Sequence, residues 1–137
     1  MQSPASMLKR LLAGLMISGC LQLVPAFADE IEKLLFLVVE DDEAIASNTL
    51  LGRFDRLEMS AKEDIVNYKV SSAVAVVVTN QRFAAYAVQP GSWKSRRIIA
   101  GERLESIEVA DFSATVVTSD RILNFYGRTG TWSETKR

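Results

Sequence analysis

The chain has 137 residues, which is enough for one small domain, and its 16 basic and 17 acidic residues give a formal net charge of −1. This balance does not provide the clustered positive charge that neutralises phosphates, so we expect no nucleic-acid partner. The chain contains no histidine, which excludes imidazole general bases, histidine-dependent catalytic triads and most zinc sites. We therefore expect a protein that is not an enzyme and has no cofactor or metal.

The first 28 residues have the three parts of a secretory signal peptide. The basic pair Lys9-Arg10 precedes an uncharged apolar run, residues 11–24, and the small-x-small pattern of a cleavage site ends at Ala28. The run has 14 residues, whereas a membrane-spanning helix needs about 20. We therefore expect cleavage between Ala28 and Asp29 and export to the periplasm or beyond. All 17 acidic residues but only 14 basic ones follow this site, so the exported domain has a formal charge of −3.

A second processing route is open because the sequence Ile-Ser-Gly-Cys that ends at Cys20 resembles a bacterial lipobox. Lipidation of Cys20 would make the protein a membrane-anchored lipoprotein, and this is the only route by which we expect contact with a membrane. It would leave residues 21–28 as an apolar tether, whereas tethers are usually polar and flexible. Cleavage at Ala28 instead leaves a chain without cysteine, which can form no disulfide.

Glycine and aromatic residues recur every 39 residues after the leader. Phe54, Trp93 and Trp132 each follow a glycine by two positions. The same offset aligns the apolar segments 37–39, 76–78 and 115–117, and it aligns Glu63 with Glu102, Thr79 with Thr118 and Arg82 with Arg121. We therefore predict one β-repeat domain, residues 29–137, with copies at about 34–60, 61–99 and 100–137.

Each full copy has the pattern of four short antiparallel strands. The β-branched runs 73–78 and 114–117 are typical of strands buried on both faces. Polar pairs that follow them predict tight turns and returning strands. The last strand of each copy is the most polar and suits a sheet edge. In the second copy, Pro90-Gly91 predicts the turn that precedes this strand. The first copy lacks its opening strand, and its acidic segment 40–43 predicts a solvated turn.

A four-stranded unit of this length with Gly-x-Trp before its last strand resembles the blades of β-propeller proteins. The resemblance implies an all-β fold of three blade-like repeats and says nothing about function. Propellers close with about four to eight blades, so two chains could form a six-bladed ring. We expect such a homodimer to join the first copy of each chain to the third copy of the other. A closed β-trefoil is the alternative architecture.

Two functions are compatible with the recurring side chains. The aromatic residues Phe54, Trp93 and Trp132 either pack between sheets or stack on a sugar ring. Arg82 and Arg121 either form salt bridges between copies or donate to that ligand, and we interpret Glu63 and Glu102 as surface charges. The first hypothesis is an exported module that binds another protein or its own copy in the cell envelope. The alternative is a module that binds carbohydrate or a small ligand.

Overall fold

The computed structural model describes residues 32–40 and 42–137, and all regular secondary structure within them is β-strand. Eleven strands are present there: β1 (Leu35–Glu40), β2 (Glu43–Asn48), β3 (Arg53–Leu57), β4 (Ile65–Val70), β5 (Val74–Thr79), β6 (Arg82–Ala87), β7 (Ser92–Arg97), β8 (Leu104–Val109), β9 (Ser113–Thr118), β10 (Arg121–Tyr126) and β11 (Thr131–Lys136). This part of the chain contains no helix that could cross a membrane. The expected signal peptide, its cleavage site and Cys20 lie outside the described residues.

The strands form three separate antiparallel sheets, each built from strands that are consecutive in the chain. Sheet 1 has the order β1-β2-β3, sheet 2 the order β4-β5-β6-β7 and sheet 3 the order β8-β9-β10-β11. The prediction of an all-β fold with antiparallel, blade-like sheets is confirmed. Each sheet contains strands of one copy only, whereas a trefoil would pair strands of different copies. The separate sheets therefore favour the blade-like architecture.

Glycine turns place the aromatic residues at the start of the last strand of sheets 2 and 3. Gly91 has a φ of +68° and donates from its backbone N–H to the carbonyl of Ala87 at 2.9 Å. Gly130 repeats this turn with a φ of +72° and an N–H bond of 2.8 Å to the carbonyl of Tyr126. Glycine adopts such positive φ values without the cost that a Cβ imposes. Each turn thus delivers a tryptophan to the second residue of the next strand.

The sheets stack face to face in the order 1, 2, 3, so sheet 2 has a hydrophobic core on each side. On one side Val76 and Phe83 pack with Val116 and Phe125 of sheet 3. On the other side Tyr86 and its neighbours pack against residues of sheet 1. The stacking buries the apolar surface that none of the three sheets could bury alone.

Position in the stack decides whether a central strand is buried on both faces. All six residues of β5 in sheet 2 are buried, as the apolar run 73–78 predicts. In β9 buried residues alternate with half-buried ones. The prediction that 114–117 is buried on both faces is therefore wrong, because sheet 3 is the last described sheet of the stack. Its residues Thr115 and Val117 lie on the outer face.

Candidate interaction surface

The two tryptophans contribute to contacts between adjacent sheets. The ring of Trp93 lies 5.3 Å from that of Tyr86, and its indole N–H donates to the backbone carbonyl of Asp55 in sheet 1 at 3.1 Å. Trp132 lies 5.2 Å from Phe125 and donates to the carbonyl of Lys94 in sheet 2 at 3.0 Å. Both indole N–H groups are therefore engaged by the backbone of the preceding sheet.

A buried ion pair closes the same hairpin in sheets 2 and 3. In sheet 3, Arg121 donates to Glu102 from Nε at 2.8 Å and from Nη2 at 3.1 Å, and Thr118 Oγ1 donates to it at 2.6 Å. In sheet 2, Arg82 and Thr79 make the equivalent bonds to Glu63, each at 2.6 Å to Oε2. The interpretation of both glutamates as surface charges is wrong, because the arginine and threonine enclose each carboxylate beneath the hairpin.

The arginines also connect each sheet to the preceding copy. Their ion pairs lie within one copy, so the prediction of salt bridges between copies is wrong for both residues. The contact between copies is instead a hydrogen bond to a backbone carbonyl. Arg121 Nη2 donates to the carbonyl of Arg97 at 2.7 Å, and Arg82 Nη2 donates to that of Glu58. In the sequence, the only indication of this cluster was the 39-residue offset that aligns the glutamate, the threonine and the arginine of the two copies.

Electrostatics keeps these carboxylates ionised. Burial acts to raise the pKa of Glu63, but hydrogen bonds from Arg82 and Thr79 outweigh it and lower the pKa to about 2. Burial likewise opposes ionisation of Glu102, and the bonds from Arg121, from the Ile99 backbone and from Thr118 still lower its pKa. Two such carboxylates are fixed charges and not proton donors at neutral pH.

A polar cluster between sheets 1 and 2 is a feature that the sequence pattern did not indicate. Asn48 Nδ2 donates to Tyr86 Oη and to the carbonyl of Val88, both at 2.9 Å, and Tyr86 Oη donates to Asp55 Oδ2 at 2.5 Å. Burial, together with Asp55, raises the pKa of Tyr86 to about 12. Among the described residues no buried side-chain nitrogen or oxygen lacks a hydrogen-bond partner. The cluster is thus satisfied internally, without a ligand.

The outer face of sheet 1 presents large apolar side chains to solvent. We call it the open face. Phe36 and Val38 are each 47% exposed and Phe54 is 73% exposed. Strand register places these side chains, with Ile45 and Ser47, on the side away from sheet 2. Isolated exposed apolar residues are common, but a contiguous group of them marks an interaction surface.

The open face corresponds, residue by residue, to faces that are covered in the other sheets. One period further on, its five positions are occupied by Ala75, Val77, Ala84, Tyr86 and Trp93, which pack against sheet 1. Two periods further on, they are occupied by Ala114, Val116, Leu123, Phe125 and Trp132, which pack against sheet 2. Phe54 is therefore the equivalent of the two tryptophans on a face that no described sheet covers.

The outer face of sheet 3 is the opposite end of the stack and is more polar. Its residues are Ser113, Thr115, Val117, Ile122, Asn124 and Tyr126. Their equivalents in sheet 2 are all apolar and buried against sheet 3: Val74, Val76, Val78, Phe83, Ala85 and Ala87. Thr115 Oγ1 donates to Asn124 Oδ1 at 2.9 Å, and Tyr126 is 50% exposed. A groove of about 390 Å³ crosses this face.

Charged residues lie at both ends of the stack. Glu40 and Glu43 pair across the β1–β2 hairpin beside the open face, and Arg56 forms an ion pair with Glu43. In sheet 3, β11 ends at Lys136, and Arg137, which follows it, forms an ion pair with Glu105. Residues 32–40 and 42–137 contain no group of three carboxylate or other ligating side chains that could hold a metal ion.

Comparison with known proteins places the chain in no family. No protein-family model matches it, and neither does any curated protein. The solved structures that are similar include a Saccharomyces cerevisiae complex of Dbp5 with Nup159, Gle1, IP6 and ADP, at 15% identity and a TM-score of 0.45. They also include the N-terminal domain of Nup159, at 14% identity and a TM-score of 0.43. Each match covers 77% of this chain and only 28% of the other. Similarity at this level carries no inference about function.

Proposed function

We propose that the chain is an exported, non-enzymatic module that binds protein through the open face of sheet 1, and that its partner is a second copy of itself. The observation that carries this proposal is the exposure of Phe36, Val38 and Phe54 on a face whose equivalents in sheets 2 and 3 are both covered by a neighbouring sheet. A flat apolar sheet face suits another sheet better than a small ligand, for which concave sites are typical.

The complementary surface for this face is the outer face of sheet 3. Within the chain, each face of the open-face type packs against the opposite face of the preceding sheet. The same step applied between two chains places sheet 3 of one on sheet 1 of the other. Two such contacts are related by a two-fold axis, so both ends of both stacks are covered at once.

Export rests on the leader and is tested by the amino terminus of the protein. The basic pair, the apolar run and the small-x-small pattern support cleavage between Ala28 and Asp29. Intact mass spectrometry of the chain recovered from a bacterial envelope fraction should give a species that begins at Asp29. A diacylated species that begins at Cys20 would replace this route by lipidation, and an unprocessed cytosolic chain would contradict export.

Self-association is tested by light scattering at micromolar concentration, where we expect the mass of a dimer. Phe54→Ser should give a monomer that still unfolds cooperatively, because the side chain is 73% exposed in the single chain and contributes little to its folding. Ile99→Ser is the matched control, since Ile99 is 47% exposed but lies in a loop outside both faces, and this variant should stay dimeric.

A substitution on the outer face of sheet 3 tests the complementary surface. Tyr126→Ser should also give a monomer, because Tyr126 is 50% exposed on that face. A parent protein that stays monomeric would contradict self-association. A dimer insensitive to both Phe54→Ser and Tyr126→Ser would contradict the proposed faces.

A further inference from the structure

The last strands of the three sheets lie side by side along one side of the stack. Trp93 of β7 donates from its indole N–H to the carbonyl of Asp55 in β3 at 3.1 Å, and Trp132 of β11 donates to that of Lys94 in β7 at 3.0 Å. Each of these strands pairs with a single partner among the described strands, so their outer edges form one surface. We call this surface, which comprises β3, β7 and β11, the basic edge.

The basic edge carries a positive charge that the composition of the chain does not show. It contains six basic residues and two acidic ones, a net charge of +4. The other described residues contain eight basic and twelve acidic side chains, a net charge of −4. No single stretch of sequence indicates this cluster, because its members come from three copies of the repeat. The basic residues of the edge are Arg53, Arg56, Lys94, Arg96, Arg97 and Lys136.

Ion pairs leave three of these residues unbalanced. Lys94, Arg97 and Lys136 are exposed and form no ion pair with a carboxylate of the described residues. Their charges are therefore available to an anionic partner. The edge residues that do have a carboxylate partner are Arg53, Arg56 and Arg96.

Protection of the sheet edges does not account for the sign of this charge. Charged side chains on an edge strand discourage pairing with other strands, and either sign serves that purpose. The first strands of the three sheets, β1, β4 and β8, contain three acidic residues and one basic residue. Positive charge is therefore a property of one side of the stack and not of strand edges in general.

We propose that the basic edge binds the surface of an anionic phospholipid bilayer. Packed sheets lie about 10 Å apart, so the three strands spread their charge over about 20 Å. Small ligands are usually held in concave sites, whereas an extended row of cations suits a plane of phosphate groups. Each Lys or Arg near such a plane strengthens binding about fivefold.

The distribution of charge favours a bilayer over a nucleic acid. Domains that bind nucleic acid are usually basic as a whole, whereas the described residues outside the basic edge have a net charge of −4. When the basic edge faces a planar anionic surface, most of this negative charge lies further from the lipid. The charge asymmetry therefore orients the domain on the bilayer.

Membrane binding does not depend on the self-association proposed above. Lys94 and Arg97 belong to sheet 2, whose two faces pack against the other sheets of the same chain. Both residues thus lie outside the two faces that would join copies of the chain. Phe54→Ser should bind anionic vesicles although it is monomeric, so failure of one proposal is distinguishable from failure of the other.

Cosedimentation with lipid vesicles tests the basic edge on the purified protein. We expect the parent to bind vesicles of phosphatidylglycerol and phosphatidylcholine at low salt and to be released at about 1 M salt, where the Debye length is about 3 Å. Lys94→Gln combined with Arg97→Gln should weaken binding about 25-fold, because two charges are lost. Lys136→Gln alone should weaken it about fivefold.

The matched control combines Lys62→Gln with Lys69→Gln. Both side chains are exposed, lie outside the basic edge and form no ion pair with a described carboxylate. This variant loses the same net charge and should bind like the parent. Any contact made by the leader is the same in every variant, so the difference between the two double variants measures the edge.

Each outcome supports or overturns the proposal. Weaker binding of the edge variants alone supports it. Equal weakening by both double variants overturns it, because net charge and not the edge would then be responsible. Absence of binding by the parent, or equal binding to vesicles of phosphatidylcholine alone, overturns it as well. Preference for single-stranded DNA overturns the choice of a bilayer, and so does release by inorganic phosphate at an ionic strength at which chloride releases nothing.

Discussion

Replacing Glu102 by glutamine removes one charge of a buried ion pair and keeps the shape of the side chain. The carboxylate accepts bonds from Arg121 Nε at 2.8 Å, from Thr118 Oγ1 at 2.6 Å and from the backbone N–H of Ile99 at 2.9 Å. A glutamine amide has one oxygen acceptor and turns an NH₂ group towards donors on its other side. The variant therefore leaves a buried guanidinium with fewer acceptors.

The magnitude follows from how well Arg121 remains compensated. Removing one partner of a buried pair costs about 3–5 kcal/mol, because the other charge stays in a poorly solvating site. Only 8% of the Arg121 side chain is exposed, but its Nη1 also donates to Glu134 at 3.0 Å. The Glu134 carboxylate is 36% exposed, and in the variant it still balances part of the positive charge of Arg121. We expect a loss of about 3 kcal/mol, at the low end of the range.

Urea denaturation at pH 7, followed by tryptophan fluorescence, measures this loss as a shift of the midpoint at constant slope. Glu105→Gln is the matched control, because Glu105 pairs with Arg137 and both side chains are more than two-fifths exposed. Exposed pairs contribute at most about 1 kcal/mol, so the control should unfold close to the parent. A loss below about 1 kcal/mol for Glu102→Gln would refute the buried pairing, because removing one partner of such a pair costs more.

The same carboxylates predict how stability depends on pH. The pKa of Glu63 is lowered to about 2 and that of Glu102 is also lowered, whereas unfolded glutamates titrate near about 4.3. Their contribution to the free energy of unfolding is therefore complete above the unfolded pKa and is lost as the pH falls towards the folded values. Parent protein should lose stability below about pH 4.5 more steeply than Glu102→Gln. Parallel acid titrations of the two would contradict the lowered pKa.

Four further substitutions probe the packing between sheets, each measured by the same denaturation. Trp93→Ala and Trp132→Ala should each cost about 3 kcal/mol, the low end of the range for emptying an aromatic site, because both rings are partly buried against the cores, and variants that unfold like the parent would exclude a packing role. Gly127→Ala should cost about 1–3 kcal/mol, because its Cβ would lie 2.7 Å from the backbone oxygen of Phe112; full stability would contradict that close approach. Tyr86→Phe should cost about 1–3 kcal/mol by leaving its hydrogen-bond partners unpaired, and an unchanged midpoint would show that water replaces the hydroxyl.

The sequence alone determined the strands and their order within each sheet. Constant spacing of the Gly-x-aromatic positions identified equivalent hairpins, and positive φ at Gly91 and Gly130 is what those turns require. Alternation between apolar and polar segments placed β5 and β9 in the middle of their sheets and the polar strands β7 and β11 at the edges. These features are local, since turn chemistry and strand pairing within a hairpin depend on residues close in sequence.

Only the tertiary structure showed which faces of each sheet are covered by a neighbouring sheet. The runs in β5 and β9 look alike in sequence, yet only β5 is buried on both faces, because sheet 2 has a sheet on each side. In the sequence Glu102 resembles a surface charge, but in the folded chain Arg121 and Thr118 enclose its carboxylate. Burial is a property of neighbours that are distant in sequence, and a repeat assigns equivalent residues to positions with different neighbours. The same periodic position is a packed tryptophan in sheets 2 and 3 and the exposed Phe54 in sheet 1, because sheet 1 begins the stack.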